Sequence, residues 1–247
     1  MATTYDPTGA FRGTPGRLEK LRERLGALPD ASGLAAVLRE SGVQGGASPD
    51  DPLLDAMREA LTRTVFSVTI VNSGPGGSHQ HHIDAGANAV SVRLSDGGED
   101  RGELAVSPFP ILHGQIARLV RFQPGTAPEQ GQPALEVDPG LILDLSAEDG
   151  ETREAAFARL LLAVGDSIDP EAASASWQLV QSRAAWTGTE GQPVEKLSVY
   201  LRAGDRYFVL EETSDGAFLL VPVPSIEAWE AMTHVLPGND EVKDPRS

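Results

Sequence analysis

The sequence predicts an α+β fold built from two copies of one plan (helix, four strands, helix), set around a mainly antiparallel central sheet with flanking helices and related by a pseudo-twofold axis. Three observations predict it. Leucines recur at spacings of three and four near the N-terminus and give way from Thr64 to alternating β-branched residues, a change from helical to extended period. The segments SDGGEDRGELAVSPFPILHGQIARLVRFQPG (residues 95–125) and SDGAFLLVPVPSIEAWEAMTHVLPG (residues 214–238) share one grammar of Ser-Asp-Gly turn, strand, Pro-x-Pro break, helix and Pro-Gly stop. With 247 residues and no cysteine, the chain can bury a sufficient core without metal or disulfide.

Residues 1–16 are polar and broken by Pro and Gly, which predicts a loose arm. Leu18, Leu21, Leu25 and Leu28 place a first amphipathic helix over Arg17 to Leu28, ended by Pro29. A second helix over Ala31 to Ser41 turns Leu34, Val37 and Leu38 inward. Ser48 or Asp50 caps a third, with Pro52 in its first turn and Leu53, Leu54, Met57 and Leu61 as its apolar positions. Thr64 to Val71 reads as a strand closed by a Gly/Pro/Ser loop at Asn72 to Ser78. Further strands are expected at His79 to Asp84, Ala89 to Leu94 and, after a turn at Ser95 to Gly102, Glu103 to Ser107. Pro108 and Pro110 end that run before a helix from Ile111 to Phe122.

Residues Gln123 to Pro133 form the best internal linker, and the apolar run Leu135 to Leu145 reads as a strand or a docked extended segment. The second half opens with a helix over Thr152 to Val164. Strands follow at Trp177 to Trp186, Glu195 to Leu201, Arg206 to Glu211 and Ala217 to Val221. Pro222 and Pro224 stop the last strand, Ser225 starts a final helix, and the charged residues 239–247 are expected to fray. The two repeats cover approximately residues 50–125 and 151–238. Only two copies are present, which favours a paired arrangement over a solenoid.

The 36 acidic against 20 basic residues, a formal charge of -16, repel phosphate backbones and anionic lipid, which argues against nucleic-acid binding. No stretch of about 18 apolar residues occurs, so no membrane insertion is expected, and a cytoplasmic location follows by default. The absence of cysteine removes thiolate catalysis and Cys-based metal sites.

Chemistry-bearing clusters are few. His79, His81 and His82 with Asp84 are the sharpest: in a strand His79 and His81 share a face and His82 takes the other, so a pair plus one carboxylate could hold a divalent ion. They lack the spacing of established zinc motifs, and polar strand residues are the plainer explanation. Pro75 to Ser78 and Gly45 to Ser48 are Gly-rich without a phosphate-binding pattern, and Ser107, Ser182 and Ser198 lack a nucleophile-elbow setting. Neither a catalytic residue nor a cofactor is expected.

The order of elements resembles the EspG family of actinobacterial type VII (ESX) secretion. The resemblance rests on GLAAVLRESGV, SPDDPLLDAMREALTRTV, AVSVRLSDG, LAVSPFPILHGQIARLV and RYFVLEETSDGAFLLVPVPSIEAWEAMTHVLPG, covering most of residues 31–238, and on a composition typical of actinobacteria. It implies a single EspG-like domain over residues 1–247 acting as a non-enzymatic cytosolic chaperone. Its partner would be a secreted helical pair of the PE–PPE kind, bound at the hydrophobic PPE tip and kept soluble. In the family a loop between early strands and the C-terminal helical region contact the substrate. The loop in that place here is Asn72, Ser73, Gly74, Pro75, Gly76, Gly77 and Ser78, the partner-binding residues that the resemblance implies. The arm before Arg17 lacks the apolar first strand usual in the family. Two alternatives remain open, a generic duplicated interaction module and a metal-binding protein using His79 to Asp84.

Overall fold

The computed structural model describes residues 2–95, 101–164, 170–238 and 240–243. Two hairpinned four-strand meanders lie side by side at its centre. The first is β4 (Phe66–Gly74), β5 (Gly77–Ala85), β6 (Ala89–Ser95) and β7 (Gly102–Pro108), and the second is β9 (Gln178–Thr187), β10 (Pro193–Ala203), β11 (Arg206–Glu212) and β12 (Phe218–Val223). They join antiparallel along β4 and β9, with Phe66 opposite Trp186 and Asn72 opposite Val180. Three strands extend the edges: β1 (Thr3–Asp6) and β2 (Ala10–Gly13) beyond β7, and β8 (Leu135–Val137) beyond β12. The two-residue β3 (Val43–Gln44) pairs parallel with β1, whereas the other pairings described are antiparallel.

Each meander is followed by a helix on the same face of the sheet, α4 (Leu112–Leu119) and α8 (Ser225–Thr233). Their Leu112, Ile116, Ala228 and Met232 pack on Phe66, Val68, Ile70, Ile83, Val180 and Ala184, the inward set of strands that alternate in and out. The opposite face carries two helical layers. Over the first meander lie α1 (Pro15–Gly26), α2 (Leu34–Glu40) and α3 (Pro52–Thr62), whose Leu18, Leu21, Leu25 and Leu54 meet Phe11 and Leu104. Over the second lie α5 (Pro139–Leu145), α6 (Gly150–Val164) and α7 (Pro170–Ser176), whose Ile142, Leu145, Phe157 and Leu160 meet Leu179, Leu201 and Phe208. Each fully buried Leu or Phe of this kind contributes roughly 1.5–3 kcal/mol.

Several expectations are corrected. Residues 1–16 are not a loose arm: β1 and β2 form a hairpin in which Tyr5 and Phe11 are buried, with ring centroids 4.8 Å apart. Asp6 Oδ1 accepts from the Thr8 amide at 3.0 Å, so the Asp-Pro-Thr-Gly run read as chain breaking is the hairpin's turn. Residues 72–78 are not an open loop, because β4 and β5 run through them in register to Gly74 opposite Gly77, leaving only Pro75 and Gly76 as the turn. Gly77 has φ +129°, a conformation L side chains rarely adopt.

The run Leu135 to Leu145 divides at Asp138 into β8 and α5, with Asp138 Oδ1 capping the helix through the Gly140 amide at 2.6 Å. Pro222 lies inside β12 opposite Phe208, and the registered pairing of β8 stops at Leu220, so this proline withholds no amide from β8. The expected fraying at 239–247 fails over its described part. Lys196 Nζ donates to Glu241 at 2.9 Å, the Trp186 indole donates to the Glu241 carbonyl at 3.2 Å, and Val242 bridges Gly188. The turn expected at Ser95 to Gly102 and the last four residues fall largely outside the described residues.

Candidate functional site

The closed end of the β4–β5 hairpin, the candidate partner-binding segment, is held from three sides. Arg153 of α6 is buried and donates through Nη1 to the Ala147 and Glu148 carbonyls at 2.6 Å, and through Nε to the Gly74 carbonyl at 3.3 Å. Those bonds fasten the hairpin tip to the α5–α6 layer. On the other side Gly74 sits so close to the end of α7 that a Cβ there would lie 2.8 Å from the Trp177 carbonyl. Ser73 and Ser78, opposite one another, bond through their hydroxyls at 2.9 Å.

The third support lies on the α4 face. Gln178 Nε2 donates to Asn72 Oδ1 at 2.7 Å and to the Val120 carbonyl at 2.8 Å. The two amide side chains thus close the C-terminal end of α4, whose last carbonyls have no helical partner. Beyond Val120 the chain turns through Arg121 at φ 46°, with Phe122 N bonded to the Ala117 carbonyl at 2.9 Å and Arg121 N to the Arg118 carbonyl at 3.2 Å. This is a Schellman ending with arginine at the left-handed position that glycine usually fills.

Between the hairpin, the end of α4 and the start of β9 opens a pocket of about 450 Å³. His79 and His81 line it from β5, Arg118 from α4, Arg121 from the turn that ends it, and Gln178 and Arg202 from β9 and β10. Among the described residues none of its lining is a carboxylate.

The histidine cluster divides. His79 and His81 face this pocket, whereas His82 and Asp84 point through the sheet to α1. There Arg22 grips buried Asp84 with two bonds, Nε to Oδ2 at 2.8 Å and Nη2 to Oδ1 at 3.0 Å, and His82 Nε2 lies 3.2 Å from Oδ1. Glu19 completes the array by pairing with both Arg22 and Arg93 at 2.9 Å. Burial alone would raise the Asp84 pKa, but bonds and charge from His82 and Arg22 outweigh it and hold the carboxyl below its ordinary value. The four residues singled out for a metal therefore do not converge, and no group of three His, Asp or Glu fit to hold an ion forms among the described residues. His113 lies in the first turn of α4 and His234 caps the end of α8.

The sequence did not single out Arg118, Arg121, Arg153, Gln178 or Arg202. Only the Arg-Leu-Val-Arg run at the foreseen helix end carried a usable signal, two cations at helical spacing. No described helix is long and apolar enough to cross a membrane.

No protein-family model matches the sequence, and no curated protein matches it. Among solved structures it is similar to that of the Mycobacterium tuberculosis type VII secretion system chaperone EspG5 in complex with PE25-PPE41 dimer, with a TM-score of 0.51 and 12% identity, covering 95% of this chain and 100% of that one. The chain has an EspG-like fold.

Proposed function

We propose that the chain is a cytosolic specificity chaperone that binds a secreted helical pair of the PE–PPE kind and keeps it soluble for a type VII secretion system, without enzymatic activity. The observation that carries this is the length of the likeness: one fold spans 95% of this chain and all of a chaperone chain solved with a PE–PPE dimer. Local geometry supports the placement of the contact. The hairpin Asn72 to Ser78 and the helical layer α5–α7 are joined by the Arg153–Gly74 bond, so a partner resting on the hairpin tip would also meet that layer. Leu143 on α5 and Leu162 on α6 are 70% and 86% exposed, apolar side chains that a hydrophobic tip could cover.

In the same reading, the two meanders with their following helices are one ancestral unit used twice, and β4 and β9 lie on either side of the pseudo-twofold axis. Superposing β4–β7 with α4 on β9–β12 with α8 tests that part. Co-expression tests the function. A PE–PPE-like pair encoded beside this chain is expected to be insoluble alone and soluble with it. A pair equally soluble without the chain contradicts the role.

A further inference from the structure

We infer that the pocket beside the hairpin binds a carboxylate presented on a polypeptide, either an acidic side chain or a chain terminus. This deepens the chaperone function and rests on it for the identity of the polypeptide, whereas the pocket rests on its own residues. In a chain with 36 acidic residues against 20 basic ones, His79, Arg118, Arg121 and Arg202 line, with His81, one cavity whose described lining residues include no Asp or Glu. Among the described residues Arg118 and Arg121 make no ion pair, whereas Arg12, Arg22, Arg93 and Arg206 each meet a carboxylate. Among the described residues Arg202 bonds the neutral oxygens of Gln123 and Ser176 at 3.4 and 3.5 Å, and neither its buried Nε nor the buried His79 Nδ1 meets a partner there.

Arg121 adds a second, independent sign. Its φ of 46° places it where glycine would end the helix at lower conformational cost, so the arginine stands against the local backbone preference. Arg118 also complements the dipole of α4 from its last turn, which leaves Arg121 as the sharper probe. The formal charge of -16 repels a free anion at long range. A carboxylate on a polypeptide whose backbone and neighbouring side chains also touch the pocket arrives at high effective concentration, which offsets that field.

The test uses the full chain with isotope-labelled histidine and follows the ring resonances of its 5 histidines. It is titrated at matched ionic strength with N-acetylated hexaglutamate, hexaglutamine, sodium glutamate and sodium phosphate. Hexaglutamate is expected to shift the His79 and His81 resonances to saturation, hexaglutamine to shift neither, and the free anions to act at least about tenfold more weakly. Arg121→Gly and Arg118→Gln are each expected to weaken the peptide about tenfold, the loss of one charge-assisted bond. The melting temperature of Arg121→Gly should hold or rise by about 2–4 °C. An unmoved His79 and His81, an equal response to hexaglutamine or phosphate, or full binding by both variants overturns the inference. A chain that solubilises its helical pair but fails this titration retains the chaperone function and loses the pocket. One that passes the titration without solubilising any pair does the reverse.

Discussion

Gln178 and Asn72 form a buried amide pair across β9 and β4, Nε2 to Oδ1 at 2.7 Å, and the same Nε2 caps the Val120 carbonyl. One side chain thereby joins both meanders to the end of α4. Gln178→Leu removes both bonds and strands two acceptors, so a destabilisation of about 2–3 kcal/mol is expected. Urea unfolding should show a lower midpoint at unchanged slope; a midpoint equal to the parent's would mean that the pair carries no weight.

A second expectation concerns pH. The Asp84 pKa is lower in the folded chain, so its ion pair with Arg22 contributes stability that is present above the ordinary carboxylate value, about 3.9. That contribution is lost as pH falls through the lower folded value. Asp84→Asn should cost about 2–4 kcal/mol at neutral pH, discounted for the partial exposure of Arg22. The difference from the parent should shrink steadily below about pH 3.9. Chemical denaturation of both proteins across pH checks it, and a difference independent of pH would refute the sign.

The N-terminal hairpin supplies a third. Phe11 is fully buried against Leu104 and the leucines of α1, so Phe11→Ala should cost about 3–5 kcal/mol. A loose arm would lose nothing measurable by calorimetry.

Why that hairpin escaped the sequence is a matter of length and composition. Strands of 4 residues are too short to show alternation, and Pro7 and Gly9 signal a break as readily as a turn. The same ambiguity opened a loop at residues 72–78, where Gly and Ser hide two paired strand ends. Elements with long periodic faces were legible: α1 through Leu18, Leu21 and Leu25, and β4 through Phe66, Val68 and Ile70. The pocket was not. Its charged and imidazole side chains come from β5, from α4 and the turn after it, and from β10, and their meeting depends on the antiparallel register of β4 and β9, which no local spacing encodes. His79 and His81 were visible as a pair, but their cationic neighbours lay far along the chain.

The hairpin tip gives a fourth expectation. A Cβ at Gly76 would meet nothing within 4 Å, so Gly76→Glu should fold with an unchanged melting temperature. If the tip contacts the partner, that variant should lose about tenfold or more in affinity for the helical pair, one misplaced charge at an interface. Binding equal to the parent's would move the contact elsewhere.

The most direct measurement is size-exclusion chromatography with light scattering on the purified chain mixed with the PE–PPE-like pair proposed as its partner. A single species whose mass is the sum of chain and pair, lost with Gly76→Glu, is the expected result. Separate elution of chain and pair at micromolar concentration, for every such pair encoded in the same genome, would contradict the chaperone function.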